Sequence, residues 1–222
     1  MINEDLRKHF ARSVRAGFVV AAGILLLGST LRESHAAPTT WNGGVGSYTD
    51  NTQWDTAVAP TNADAAFINA GTATQAGTLN IRPDIASNGA SLTIGGGGVS
   101  IPNANTDLNI RNAGIVTQTG GSVSANRWII LGQNTAGDNY NLSGGTATAG
   151  NAVILGNTAG GSQFTQTGGT VNANVWMGVG QSAGTSTYNL SDPTSQVNVG
   201  PGGGGQNAME IGSASGATGI FN

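Results

Sequence analysis

Cysteine is absent from this chain, which excludes a disulfide framework, a thiolate metal site and a lipid-modified cysteine at an export junction. Charge is scarce as well, at 9% of residues, and so are aromatics at 5%, with only 6 prolines. A chain so poor in charge and proline lacks what keeps ordinary polar disorder solvated, so it is expected to fold. What it has in excess is glycine, 37 of 222 residues, which signals frequent turns rather than a conventional globule.

The first 36 residues read as an export leader. Arg7, Lys8, Arg12 and Arg15 form a positive region ahead of the apolar run AGFVVAAGILLLG, from Ala16 to Gly28. That run is short of the roughly 20 residues a membrane-spanning helix needs, which favours a cleaved leader over an anchor. The junction SHAAP offers Ser34 and Ala36 as the small residues at the recognition positions, and Pro38 obstructs a cut one residue later. Cleavage is therefore expected after Ala36.

Without that segment the chemistry narrows further. Both histidines and the only lysine leave with it, so the remaining basic residues are Arg82, Arg111 and Arg127. Against them stand eight acids, Asp50, Asp55, Asp64, Asp84, Asp107, Asp138, Asp192 and Glu210, for a net charge of −5. No basic surface that tracks phosphates can be built from this set, which excludes nucleic acid as a partner.

The dominant signal is repetition. VTQTGGSVSANRWIILGQNTAGDN (116–139), YNLSGGTATAGNAVILGNTAGGSQ (140–163) and FTQTGGTVNANVWMGVGQSAGTST (164–187) have one length of 24 residues and align column by column. A fourth unit, 188–220, carries Asp192-Pro193 in place of Gly-Gly and inserts GPGGGG from Gly200 to Gly205. Within each unit three short stretches alternate apolar with small polar residues, the period of a strand, and glycine-rich corners separate them. Such a unit has no core of its own, but copies stacked in register bury one another's apolar columns. The expected fold is all-β: a parallel β-solenoid with three-strand turns about 4.8 Å apart. The inward columns are Ile129, Val153, Met177, Met209 and Leu131, Leu155, Val179, Ile211. Gln118 and Gln166 share a further column; if it faces inward, each amide must find a corner backbone partner.

The domain division is a leader at 1–36, an irregular strand-rich head or cap at 37–90, and solenoid turns at 91–222, with looser turns before residue 116. Phe221 and Asn222 match the opening of a fifth unit, so the sequence is read as C-terminally incomplete. Trp41 and Trp54 in the head are expected to cover the apolar end of the first turn.

The head WNGGVGSYTDNTQWDTAVAPTNADAAFINAGTAT, followed by the TQTGG, LGQ, YNLSGGT and ILGN motifs, resembles secreted bacterial Gly/Thr/Asn-rich proteins with autotransporter-associated β-strand repeats, of the PEP-CTERM type. The resemblance spans nearly all of the chain after the leader and implies export and a repetitive architecture. Its motifs carry no chemistry.

The expected function is thus an extracellular or cell-surface structural or adhesive protein, non-catalytic, with no cofactor and no metal. The partners expected are extracellular polysaccharide or cell-surface components, with membrane contact only through an anchor beyond Asn222. One alternative is carbohydrate binding. Trp128 and Trp176 share an outward column with Ala152 between them, and two exposed indoles two turns apart form a candidate stacking platform for a glycan. Another is a polysaccharide lyase or hydrolase, by analogy with enzymes on the same fold. The acids of the repeats are scattered over different columns, however, and Asp107 with Arg111 reads as a surface ion pair. The Thr117/Thr119 and Thr165/Thr167 ladders also suggest ice binding, but Asn141 and Asn189 break the grid.

Overall fold

The computed structural model describes residues 38–61, 64–81, 91–134, 136–202 and 208–222. The expected leader, together with Arg82, Asp84 and the last three residues of the Gly200–Gly205 insertion, lies outside the described residues.

The architecture follows from a simple alternation. In SVSA, TATA and NYNL the apolar members are buried and the hydroxyl or amide members face out. Successive side chains of a strand point to opposite faces, so this pattern gives each strand one dry and one wet side. After the short β1 (Thr39–Thr40) and β2 (Val45–Ser47), the turns run as triplets. The first are β3 (Ala65–Ile68), β4 (Thr72–Thr74), β5 (Leu79–Ile81), then β6 (Ser91–Ile94), β7 (Gly98–Ile101), β8 (Leu108–Ile110). Next come β9 (Ile115–Gln118), β10 (Ser122–Ala125), β11 (Trp128–Leu131), then β12 (Asn139–Leu142), β13 (Thr146–Ala149), β14 (Ala152–Leu155). The last are β15 (Gln163–Gln166), β16 (Thr170–Ala173), β17 (Trp176–Val179), then β18 (Gly184–Leu190), β19 (Gln196–Val199), β20 (Met209–Ile211), and finally β21 (Ala217–Phe221).

These strands form three parallel sheets. Sheet I is β1-β3-β6-β9-β12-β15-β18-β21, sheet II is β19-β16-β13-β10-β7-β4-β2, and sheet III is β20-β17-β14-β11-β8-β5. The chain visits I, II and III in turn and returns one strand further along each, so the protein is a parallel β-solenoid with six complete turns among the described residues.

The register is one of 24 residues. Ser91, Ile115, Asn139, Gln163 and Thr187 pair successively across sheet I. This interval reaches one turn further back than the sequence pattern reveals. In the turn starting at Ser91 the corner between β7 and β8 is long (102–107) and the next corner is short (111–114). In the following turn the corresponding corners are 126–127 and 132–138. Residues have moved between corners while the turn length is kept, which hides the repeat from alignment. Further back, β1 to β5 pair in parallel within the same three sheets although they fall in the segment read as a head.

Inside, like sits on like. Tyr140, Phe164, Tyr188 and Phe221 stack with ring centroids 4.6, 4.8 and 4.9 Å apart and planes within 10° of parallel. Sheet II contributes small residues to the same core, Ala125, Ala149 and Ala173, all buried. The Gln column is inward and fully buried, and it is satisfied. Gln118 Nε2 donates to the carbonyls of Gly121 and Thr146 at 3.3 and 3.1 Å, and Gln166 Nε2 to those of Gly169 and Gln196 at 2.9 and 3.1 Å.

The corners between sheets I and II need glycine for two reasons. Gly145 has φ +82°, and a Cβ there would lie 2.4 Å from the Gly121 carbonyl oxygen of the turn below. Where Asp192-Pro193 replaces Gly-Gly, the Asp192 carboxylate accepts from Thr194 N at 2.7 Å and from its hydroxyl at 2.5 Å, closing a longer corner by a side-chain turn.

At the N-terminal end Trp41, Tyr48 and Trp54 are buried and meet edge to face, with centroids 5.2 and 5.1 Å apart around Trp54. Trp54 Nε1 donates to Tyr48 O at 2.9 Å. These rings join the main core, at the end of sheets I and II where β1 and β2 are the terminal strands.

Candidate functional site

With the interior filled by self-stacking columns, any contact with a partner falls to the outer faces. They differ chemically.

On sheet III the outer face is apolar across β11, β14 and β17, and the outward column through Ile130 becomes polar at Asn80, Asn109 and Glu210. Trp128, Ala152 and Trp176 are in register, and Ile130, Ile154 and Gly178 form the neighbouring outward column. The strands AVIL and WMGV are buried throughout. Ile130, Ala152, Ile154 and Trp176, with the partly buried Trp128 and Val175, make a satellite cluster separate from the main core. This corrects the exposed indole pair expected from sequence: the two Trp share a column, but Trp176 is only 8% exposed and Trp128 is half-buried. The reason is local. A Cβ at Gly178 would meet Trp176 Cζ3 at 2.7 Å and Gln181 Nε2 at 2.6 Å, so the indole and the amide occupy space that any larger residue would need. Alternation gave the side of the sheet correctly; it did not show that the ring lies down on its own strand.

Asp107 has a different partner from the one expected. Its carboxylate takes a two-point contact from Arg127, Nε to Oδ1 at 2.7 Å and Nη2 to Oδ2 at 2.5 Å, and also accepts from Trp128 N at 3.2 Å. Arg127 lies over the Trp128 ring, with Cζ 4.1 Å from its centroid. The hydrogen bonds it donates to Asp107 hold the Arg127 guanidinium above its usual pKa. Arg111 instead donates from Nη2 to Asn80 Oδ1. Asp107 and Arg111 flank the short β8, whereas the register sets Asp107 beside Trp128 in the next turn, which brings Arg127 to it.

Asp138 is fully buried in the corner between sheets III and I. Its Oδ2 accepts from Gly132 N at 2.6 Å. Burial pushes its pKa up from 3.8 to about 6, opposed by the N–H groups of Gly132, Ala113 and Gly114 and by the Arg111 charge. Asp50 and Asp64 close local turns, whereas Asp55 ties two distant stretches of the head together. Asp50 accepts from Thr52, Asp55 from Thr40 N and Thr39, and Asp64 from Thr61. The carboxyls of Asp50, Asp55 and Asp192 are held below their ordinary range chiefly by these threonine contacts, from Thr52, Thr40 N and Thr194 respectively.

Sheet II has the most regular outer face. One rank runs Thr72, Ser122, Thr146, Thr170 and Gln196, interrupted by Gly98, and the second runs Thr74, Ser100, Ser124, Thr148, Asn172 and Asn198. No outward position of this sheet is charged. Asn198 Nδ2 donates to Asn172 Oδ1 at 2.9 Å, and Asn172 Nδ2 to Thr148 Oγ1 at 3.2 Å, so donors are aligned along the rank. The sequence singled out the threonines of sheet I and passed over this face. Its signal was legible in SVS and TAT, where hydroxyls flank an inward apolar residue.

No family model, curated protein or solved structure matches the chain.

Proposed function

We propose that the chain is an exported, non-catalytic structural or adhesive β-solenoid, released from its leader after Ala36 and displayed outside the cell. The observation that carries this reading is the self-satisfied interior. Aromatic rings stack on rings, and buried amides bond to tyrosines of the neighbouring turn and to carbonyls of their own and the next turn. A rod built this way keeps its shape by repetition and leaves long outer faces for contact. The charged-then-apolar leader pattern and the resemblance to secreted repeat proteins support an extracellular setting. The lyase or hydrolase alternative rests on fold analogy, and no observation favours it.

The test is expression of the full chain with its own leader in a Gram-negative host. Export is expected, with an intact mass beginning at Ala37. Accumulation in the cytoplasm with the leader attached would overturn the reading.

A further inference from the structure

We infer that the outer face of sheet II is the adhesive surface, and that its ligand is an extended, uncharged, hydroxyl-rich polysaccharide aligned with the solenoid axis. This rests on the adhesive reading above and gives it a site and a ligand class.

Three properties of the face lead there. It is periodic in two directions: turns repeat every ~4.8 Å along the axis, and the two ranks stand ~7 Å apart along each strand. Only a ligand that is itself a repeating array engages successive turns in the same way, and an extended chain of pyranose rings advances by about one turn per sugar.

Hydrogen-bonding capacity is left unspent. Among the described residues Ser122, Thr146 and Thr170 make no side-chain hydrogen bond, and the Asn198–Asn172–Thr148 relay leaves the Thr148 hydroxyl proton free to point outward. Hydroxyls and amides offer both donors and acceptors, which matches a sugar hydroxyl in either role.

Charge decides the class. The face is neutral and the chain beyond Ala36 carries a net charge of −5, so anionic polymers are repelled at range and nothing on the face attracts them. An ice plane is the other periodic neutral lattice. It demands an unbroken grid of like groups, which Gly98, Asn172, Gln196 and Asn198 interrupt, whereas sugars accept amides and hydroxyls alike.

The experiment measures retention of the full exported chain on microcrystalline cellulose and on chitin. Three versions are compared: the parent, a Ser122→Lys/Thr146→Lys variant on sheet II, and a control carrying Asn141→Lys/Thr165→Lys on the outer side of sheet I. The expected result is retention of parent and control, with the sheet II variant weakened about tenfold or more at unchanged β-sheet circular dichroism. If that variant does not fold, Ser124→Ala/Thr148→Ala is read in its place, with the same expected direction. Loss of retention by the control to the same extent overturns the assignment of the face. An exported, leader-free parent that ignores both polysaccharides overturns the ligand class while leaving the exported scaffold standing. Thermal hysteresis in the absence of polysaccharide retention overturns it in favour of ice.

Discussion

Tyr188 donates its hydroxyl to Oε1 of Gln166 in the turn below, at 2.6 Å, in an interior where both residues are fully buried. Tyr140 does the same to Gln118 at 2.6 Å. Turns therefore come in two kinds. One carries Val116 or Phe164 with a Gln two residues later, and the other carries Tyr140 or Tyr188 with a Leu. A turn slipped by one unit would face Tyr with Leu and leave hydroxyl and amide unpaired, so the pairing specifies register as well as adding stability. Burial also drives both tyrosine pKa values well above their ordinary range, keeping the hydroxyls as donors.

Gln166→Leu should cost about 1–3 kcal/mol in urea unfolding, because it strands the Tyr188 hydroxyl. Adding Tyr188→Phe should restore part of that loss, since replacing both partners by apolar groups removes the stranded donor. A double variant no more stable than Gln166→Leu alone would show that the hydroxyl is not what the amide serves.

The Asp107–Arg127 pair is asymmetric, with side-chain exposures of 5% and 31%. Arg127→Ala leaves a buried carboxylate without its two-point partner, whereas Asp107→Asn leaves a guanidinium that can turn to water. The first should destabilise more, by about 2 kcal/mol or more, and the second less. Thermal melts of the two variants in the same buffer give the ranking, and the reverse order would mean that Arg127 is held mainly by Trp128.

How much of this was legible beforehand depends on what a column of residues can encode. The 24-residue interval, the buried Ile129–Val153–Met177 and Leu131–Leu155–Val179 columns and the shared Gln118 and Gln166 column were readable because stacking forces like residues to recur; Met209 and Ile211, expected to continue the two apolar columns inward, are instead 37% and 49% exposed in the last turn. The amides' corner carbonyl partners followed from burial alone. Their tyrosine partners did not, because Tyr140 and Gln118 lie in different turns and different columns. The turn at Ser91 was obscured by the exchange of length between its corners. Trp176 was assigned to the correct side of sheet III but not to its buried posture, which depends on the missing side chain at Gly178, a position that reads in sequence as one more glycine among many.

Asp138 gives a pH signature with a defined sign. Its folded pKa of about 6 lies above the ordinary 3.8, so between these values the folded state holds the proton more tightly than the unfolded chain. This contribution is fully present below pH ~4 and is lost as pH rises through ~6. Asp138→Asn keeps an acceptor for Gly132 N and removes the titration. The variant's stability should therefore be flatter than the parent's between pH 4 and 7 in denaturant titrations, and parallel profiles would locate the pH dependence elsewhere.

Gly178 is the residue that lets Trp176 lie down, and the consequence can be measured optically. Gly178→Ala places a methyl where Trp176 Cζ3 and the Gln181 amide now sit, at 2.7 and 2.6 Å. Gln181 is flexible and also donates to Glu210 Oε2 at 3.4 Å, so it can give way; the indole, tied to a buried strand, must rotate outward instead. Tryptophan emission should shift to the red and become more accessible to a neutral quencher such as acrylamide. The far-ultraviolet spectrum should stay that of the parent, because position 178 faces out of the solenoid and its neighbours Met177 and Val179 continue to fill the core. An unchanged emission spectrum would mean that the ring is held by the Ile154 side of the cluster rather than by the space above Gly178.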